Sequence, residues 1–277
     1  MIWQFRNTGY RTGAENMKYD ELLAHALLVS DHPFVVRVYG WKPPAISLGW
    51  HQNIEEIDIE MCSREGIDVV RRPTGGRAIL HSDEVTYSVA MVASQKSVLS
   101  VYQKISEALV RGLRELGAGV SLEKSQPHFP SLYRSPSAVA CFASVARYEI
   151  HVGGRKLVGS AQRRFARPDG LEVVLQHGSI LLGDDHQRMV EFLRGLGNDQ
   201  RDQLRLDLSK NTADLSAVLG RRVQFEEVVR VLRWGFEKAW GIEFSNLGID
   251  GEATASEEVS NMSSERFVTT RSPRDVV

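Results

Sequence analysis

The sequence predicts an α+β protein with a single core, and three features predict it. Two long segments carry apolar residues at helical period, one through Val98, Val101, Ile105, Ala108, Leu109, Gly112 and Leu116, the other through Phe225, Val228, Val229, Leu232, Phe236, Ala239 and Trp240. Residues 148–152 and 155–158 alternate and are joined by Gly153-Gly154, the pattern of a tight β-hairpin. No segment repeats and no second apolar core separates from the first, so residues 1–245 read as one domain followed by a polar tail at 246–277.

In chain order, residues 1–6 are predicted as a short strand and residues 14–29 as a helix. The apolar stripe of that helix is Met17, Ala24, Leu27 and Leu28, with Asp20 and Glu21 facing elsewhere. Residues 34–39 alternate and are β-branched, hence a strand, which Lys42-Pro43-Pro44 breaks. Residues 45–48 form another, closing on a polar and aromatic loop at 49–53 with too little bulk for core. A short helix at 57–65 stops at Gly66, and a strand at 67–70 delivers Arg71. Residues 85–92 are an apolar, β-branched strand, and the helix at 98–116 is capped by Gly117. Residues 119–138 are rich in Ser and Pro and read as irregular, with Cys141-Phe142 just after them. A two-residue turn at Gly153-Gly154 pairs Val152 with Arg155 and His151 with Lys156, with Glu149 a diagonal neighbour of Lys156. Residues 171–182 read as a strand interrupted at Gln176-His177-Gly178-Ser179, and beyond Asp184 the chain turns helical.

Composition narrows the class. At 31.0 kDa, with 42% hydrophobic residues, the chain can bury a full core without staples. A formal net charge of -1 offers no general attraction to nucleic acid or an anionic membrane. No apolar run reaches the length of a membrane span and the N-terminus lacks a signal-peptide core. Two cysteines without zinc-ligand spacing fit a reduced, cytoplasmic protein with no metal and no cofactor of its own.

The chemistry concentrates in residues 71–88, where Arg71, Arg72 and Arg77 flank a Pro-Thr74-Gly75-Gly76 turn and His81 follows. Glycines let backbone N–H groups approach an anion, and each arginine can meet a carboxylate or phosphate as a planar fork. The plain alternative is a basic surface turn. Cys141 is a candidate nucleophile once ionised, against the alternative of a small buried hydrophobe. Lys156 emerges from a hairpin that could fold back toward it, and a solvated edge lysine is the alternative there. Cys62 is assigned to packing. His81 and His177 stand beside small or apolar residues rather than carboxylates, and neither forms a metal-type pair. Gly159-Ser160-Ala161-Gln162 is a run of small residues that another group can approach. No P-loop and no G-x-S-x-G elbow is present.

RRPTGGRAILH at 71–81, ISLGWHQ at 46–52, GRKLVGSAQRR at 154–164 and LQHGSILL at 175–182 together resemble the lipoate–protein ligase A / biotin ligase superfamily. The resemblance runs in order over about residues 3–240. It implies a single catalytic domain with a central mixed, largely antiparallel sheet flanked by helices. It also implies acyl or substrate contacts at Arg71, Arg72, Thr74, Gly75, Gly76, Arg77, His81, Gly159, Ser160, Ala161, Gln162, His177 and Gly178, with Lys156 pointing at the acyl carbonyl. Ligases that use ATP typically carry a further C-terminal domain, which this length does not accommodate. GGRAILH followed by Glu84 and Thr86-Tyr87-Ser88, and Ala140-Cys141-Phe142 followed by Tyr148-Glu149, look like the LipM-type octanoyltransferases. Ser82 stands where such sequences more often have Asp. That likeness implies Cys141 as acyl-thioester nucleophile and Lys156 as the lysine that lowers its pKa. It further implies octanoyl-acyl carrier protein as donor and a lipoyl-domain protein, such as the glycine cleavage H protein, as acceptor. The alternatives are an ATP-dependent lipoate ligase, an amidotransferase between lipoyl domains, and a catalytically idle acyl-binding protein.

Overall fold

Two sheets meet across one helix, and the interval between them is where the polar residues of the core collect. The structure, a computed structural model, describes residues 2–93, 97–123 and 149–245. In chain order the elements are β1 (Trp3–Arg11), α1 (Gly13–Val29), β2 (Phe34–Trp41), β3 (Ala45–Leu48), α2 (Ile59–Arg64), β4 (Asp68–Arg71), β5 (Ile79–His81) and β6 (Glu84–Ala93). They continue with α3 (Val98–Glu115), β7 (Ser121–Leu122), β8 (Ile150–Val152), β9 (Arg155–Ala166), β10 (Glu172–Leu181), α4 (Asn198–Asn211), α5 (Leu215–Leu219) and α6 (Phe225–Trp240). The large sheet has the order β1-β2-β6-β10-β9-β8-β7 and the small one β4-β3-β5. Only β1–β2 and β3–β4 pair in parallel among these strands, so the sheets are mixed and largely antiparallel.

Local chemistry sets the helix ends. Thr12 caps α1 through a reciprocal box with Glu15, and Ser97 accepts from the Ser100 N–H at the start of α3. Gly241 ends α6 in the left-handed region at φ 63. Alternation along β2, β6 and β10 then divides the large sheet into two unlike faces. One face places Val36, Val38, Val85, Val89 and Ile180 against α3 and α6, in a core completed by Ile105, Leu109, Leu232 and Phe236. The other presents Arg37, Tyr39, Glu84, Thr86, Ser88, His177 and Ser179, all buried, beneath α1 and the small sheet. A second core of Ile46, Leu48, Ile57, Cys62, Leu181, Phe192 and Leu208 packs behind the small sheet.

Several strands differ from the expectation. β1 runs to Arg11, with a register shift between Asn7 and Tyr10, because parallel pairing with β2 carries it past the predicted end. β9 continues to Ala166 and β10 is unbroken, since residues 159–162 pair one for one with residues 179–176. The small residues there are the middle of a sheet rather than loops. Asp20, expected to face away from the core, is fully buried on α1. The hairpin register holds as predicted: His151 opposes Lys156 and Val152 opposes Arg155, with Gly153 and Gly154 at φ 54 and 77. Both positive angles are what the two-residue turn demands. Part of the 119–138 stretch forms β7, while residues 124–148 and 246–277, including Cys141, Tyr148 and the predicted tail, lie outside the described residues. No described helix is long and apolar enough to cross a membrane.

Helices α3 and α6 touch backbone to backbone at two glycines. A Cβ on Gly235 would stand 2.6 Å from the Ala108 carbonyl oxygen, and one on Gly112 2.5 Å from that of Val231. Alanine in a helix interior normally gains about 1 kcal/mol over glycine. At Gly235 the clash should reverse the sign, costing about 1–3 kcal/mol, and a urea titration of Gly235→Ala should show a lower midpoint.

Candidate active site

The arginine–glycine loop is held by its own arginines. Arg72 is 3% exposed; its Nη1 donates to the Ser47 carbonyl (2.8 Å) and Oγ (3.0 Å), and its other N–H groups donate to the carbonyls of Gly75 (3.0 and 2.8 Å) and Arg77 (2.7 Å). Arg71 Nη1 donates to the carbonyls of Gly49, Trp50 and Gln52 at 2.8–3.0 Å. These two guanidiniums therefore spend donors on backbone carbonyls and hold the shape of the loop. Arg77, at the end of the loop, is half-buried. Loop and neighbour meet closely: the Trp50 N–H donates to the Thr74 carbonyl (2.9 Å), and a Cβ at Gly49 would fall 2.0 Å from the Gly76 carbonyl oxygen. Gly76 itself sits at φ 92, a conformation that favours glycine. A Cβ at Gly75 would meet only open space.

Both histidines do have carboxylate partners: His177 finds a remote one in Asp20, and His81 a local one in Glu84, three residues along the chain. His177 Nδ1 lies 3.2 Å from Asp20 Oδ2 and its Nε2 2.6 Å from Thr74 Oγ1. His81 Nδ1 lies 2.9 Å from Glu84 Oε1 and its Nε2 2.7 Å from Ser47 Oγ, with the Trp41 ring stacked on the imidazole at 4.0 Å. Asp20 also accepts from Arg37 (2.8 Å), Tyr39 (2.9 Å) and Ser88 (2.8 Å). Burial alone would raise the Asp20 carboxyl, but the Arg37 guanidinium and the bonds from His177 and Ser88 hold it below the usual range. Burial likewise pushes His177 down, against the pull of Asp20. Asp20 was missed because its partnership with His177 arises from the cover of α1 over the sheet, which sequence neighbours do not display, whereas Glu84 stood only three residues from His81 and was readable as a local partner across the β5–β6 turn.

Between these groups lies a cavity of ≈ 440 Å³, open mouth included. Met17, Tyr39, Trp41 and Ile79 form its apolar side, and Ser47, Arg72, Gly76, His81, Thr86, Gly159, Ser160, Ala161, His177, Gly178 and Ser179 complete the wall. A Cβ at Gly178 would fall 2.5 Å from the Gly159 carbonyl oxygen and 2.6 Å from Ser160 Oγ. Ser160 Oγ is bonded to Tyr87 Oη (2.7 Å), and Gln162 donates to Gln176 (2.9 Å). Of the expected contacts, the structure thus gathers Arg72, Gly76, His81, Gly159, Ser160, Ala161, His177 and Gly178 around one space. Thr74 stands behind His177, whereas Arg71, Gly75, Arg77 and Gln162 are outside the lining.

Lys156 is the second residue of β9, three positions before Gly159, or about 10 Å along the strand at ~3.3 Å per residue. Its Nζ lies 2.7 Å from Glu149 Oε1, and both side chains are buried. A buried ammonium needs a counter-charge, and Glu149 supplies one. His151 Nε2 lies 4.0 Å from Glu149 Oε2. Among the described residues no set of His, Cys, Asp and Glu is grouped to hold a metal ion. Cys62 is 1% exposed inside the second core, and burial raises its thiol to about 11.

The fold is that of lipoate–protein ligase catalytic domains. The chain superposes on a bipartite lipoate protein ligase from Thermoplasma acidophilum with a TM-score of 0.74, at 19% identity, covering 96% of this chain and 93% of that one. The family model of the lipoyl protein ligase A/B catalytic domain matches residues 12–237, and the chain belongs to that family. It is 40% identical to the octanoyltransferase LipM of Kyrpidia tusciae over 92% of both chains. It is also 37% identical to that of Geobacillus kaustophilus, again over 92% of both.

Two outcomes follow from the titrating groups. His177 and His186 are both held below the ordinary imidazole value of 6.5 by burial. As pH falls through that value the unfolded chain takes up protons that the native one refuses, so stability is whole above it and declines toward the depressed native values. Each group contributes at most about 1.4 kcal/mol per pH unit; urea midpoints should fall between about pH 7.5 and 5.5, and less steeply in His186→Asn. Separately, native Cys62 should resist iodoacetamide near neutral pH, so Cys62→Ala should leave the native labelling stoichiometry unchanged, as peptide mapping would reveal.

Proposed function

We propose that the chain is an octanoyltransferase of lipoate assembly, moving an octanoyl group from octanoyl-acyl carrier protein through Cys141 to a lysine of a lipoyl domain. The likeness to LipM octanoyltransferases along nearly the whole chain carries this reading. The Cys141 thiolate attacks the thioester carbonyl, the carrier sulfur leaves and takes up the proton that the Cys141 thiol gave up, and an octanoyl-Cys141 thioester remains. An amine of the acceptor lysine then attacks that carbonyl, giving the amide and restoring the Cys141 thiol. The first step exchanges one thioester for another and needs no ATP; the second is downhill because an amide is formed. Dividing the transfer lets one site serve two protein partners in turn. The acceptor is a lipoyl-domain protein, with the glycine cleavage H protein as the particular candidate.

The residues divide the labour. Lys156, held as a cation beside Glu149, favours the thiolate and then the developing oxyanion. Met17, Tyr39, Trp41 and Ile79 offer the alkyl chain an apolar wall. At roughly 0.8 kcal/mol per buried methylene, eight-carbon chains are held well while neighbours are rejected only modestly.

Intact mass decides the matter. With octanoyl-acyl carrier protein and no ATP, the protein should gain one octanoyl group that hydroxylamine removes, and Cys141→Ser should gain none. Lipoylation of an acceptor that requires ATP and survives Cys141→Ser would instead make the chain a ligase. No adduct and no transfer under either condition would leave an acyl-binding protein.

A further inference from the structure

Two buried carboxylates stand at equivalent places in two parallel chains of hydrogen bonds, and both chains end on the same loop. In the first, Asp20 of α1 meets His177 Nδ1 at 3.2 Å, and His177 Nε2 meets the hydroxyl of Thr74 at 2.6 Å. In the second, Glu84 of β6 meets His81 Nδ1 at 2.9 Å and His81 Nε2 meets Ser47 Oγ at 2.7 Å. Ser47 in turn accepts from Arg72 at 3.0 Å, and Arg72 clasps the carbonyls of Gly75 and Arg77. Thr74 and Arg72 belong to the arginine–glycine loop; neither carboxylate does.

The proton positions follow from the donors. A guanidinium only donates, so Arg72 occupies one lone pair of Ser47; with an acceptor carboxylate at Nδ1, a neutral His81 holds its hydrogen there and takes the serine hydrogen at Nε2. Nδ1 faces Glu84, which also accepts from the Thr86 hydroxyl, and Ser179 Oγ stands 3.2 Å from the same nitrogen. The same order serves the other chain, where ionised Asp20 accepts from His177 Nδ1 and Nε2 accepts from Thr74. A histidine whose tautomer is set by a carboxylate presents a fixed acceptor to its other partner.

We infer that Asp20 and Glu84 are positioning residues, each acting through a histidine to hold the 72–77 loop in the form that receives the acyl group. The carbonyls of Gly75 and Arg77 are drawn to the Arg72 guanidinium on the protein side. Across each trans peptide the N–H lies opposite the carbonyl, so drawing the Gly75 and Arg77 carbonyls to Arg72 turns the Gly76 and Ala78 N–H groups away from the guanidinium, as donors that can meet a carbonyl oxygen gaining charge. Removing either hydroxyl cuts one chain at its last link while sparing the buried carboxylates themselves. The catalytic part of the inference rests on the proposed octanoyl transfer; the part concerning loop order does not.

Thr74→Val is nearly isosteric and deletes the first link, Ser47→Ala deletes the second, and Thr74→Ser keeps a hydroxyl in place. The rate of octanoyl-enzyme formation from octanoyl-acyl carrier protein should fall about ten-fold or more in Thr74→Val and in Ser47→Ala, with half-saturation changed little. Thr74→Ser should recover most of the rate. Hydrogen–deuterium exchange, read without substrate, should speed up about ten-fold in the 72–78 peptide of both deficient variants, and stay unchanged in the β8–β9 hairpin. Unaltered exchange in the 72–78 peptide would overturn the inference whatever the enzyme does. Equal rates in Thr74→Val and wild type would overturn its catalytic part, as would an octanoyl adduct mapped to Ser47, which would make that hydroxyl a nucleophile. A wild-type protein that forms no octanoyl-enzyme would instead sink the transferase reading, and exchange would still decide loop order.

Discussion

The Asp20–Arg37 ion pair is the constraint on which the polar half of this protein depends. Both side chains are fully buried, a placement that costs several kcal/mol per ion unless every donor and acceptor is met. Arg37 donates to Thr8, to the Asn16 carbonyl, to Asn16 Oδ1 and to Asp20, between the rings of Tyr19 and Tyr39 at 4.3 and 3.8 Å. Asp20 closes the arrangement from the helix side. The pair thus joins β1, α1 and β2 and carries the charge outward to His177 on β10. Losing one partner would strand a charge in the interior, so the sheet face under α1 is organised around polar satisfaction where the opposite face relies on packing.

That division bears on how much could be read from the sequence. The helices α3 and α6 were legible because their stripes are apolar at a single period. The β8–β9 hairpin was legible next to its turn, since Gly153-Gly154 permits few turns and the turn sets the register, but not the bulge one pair further on, where Ile150 opposes Val158. The buried polar face was not. Asp20 looks like an ordinary surface residue of a helix, and nothing local announces Arg37 beneath it. His81 and His177 were picked out by motif, yet judged to lack carboxylates: that of His177 arrives through the fold, while Glu84, three residues beyond His81, was close enough in sequence to have been read. Gln176 to Ser179 looked like a break because polar residues in a strand normally mark its end; here each faces a partner on β6 or β9.

The cavity follows from the same economy. Glycine at 178 leaves room where any side chain would strike the Gly159 carbonyl and Ser160, and glycines at 49 and 76 let two backbones touch. Small residues at these points are what allow a helix, two sheets and a loop to share one boundary with space remaining inside it. The arginines that seemed free to greet a ligand are largely occupied in shaping that boundary.

The two-residue turn at Gly153-Gly154 has an evolutionary consequence. Because side chains alternate along a strand, one inserted residue that slipped the pairing by a single step would carry the Lys156 ammonium to the far side of the sheet, away from Glu149, while the backbone ladder could still form. The product would be a folded protein with its cation misplaced. Homologous chains should therefore vary in the composition of this turn far more readily than in its length, and a gap in an alignment at this point would mark a lineage in which the buried lysine and its glutamate had parted while the architecture stayed.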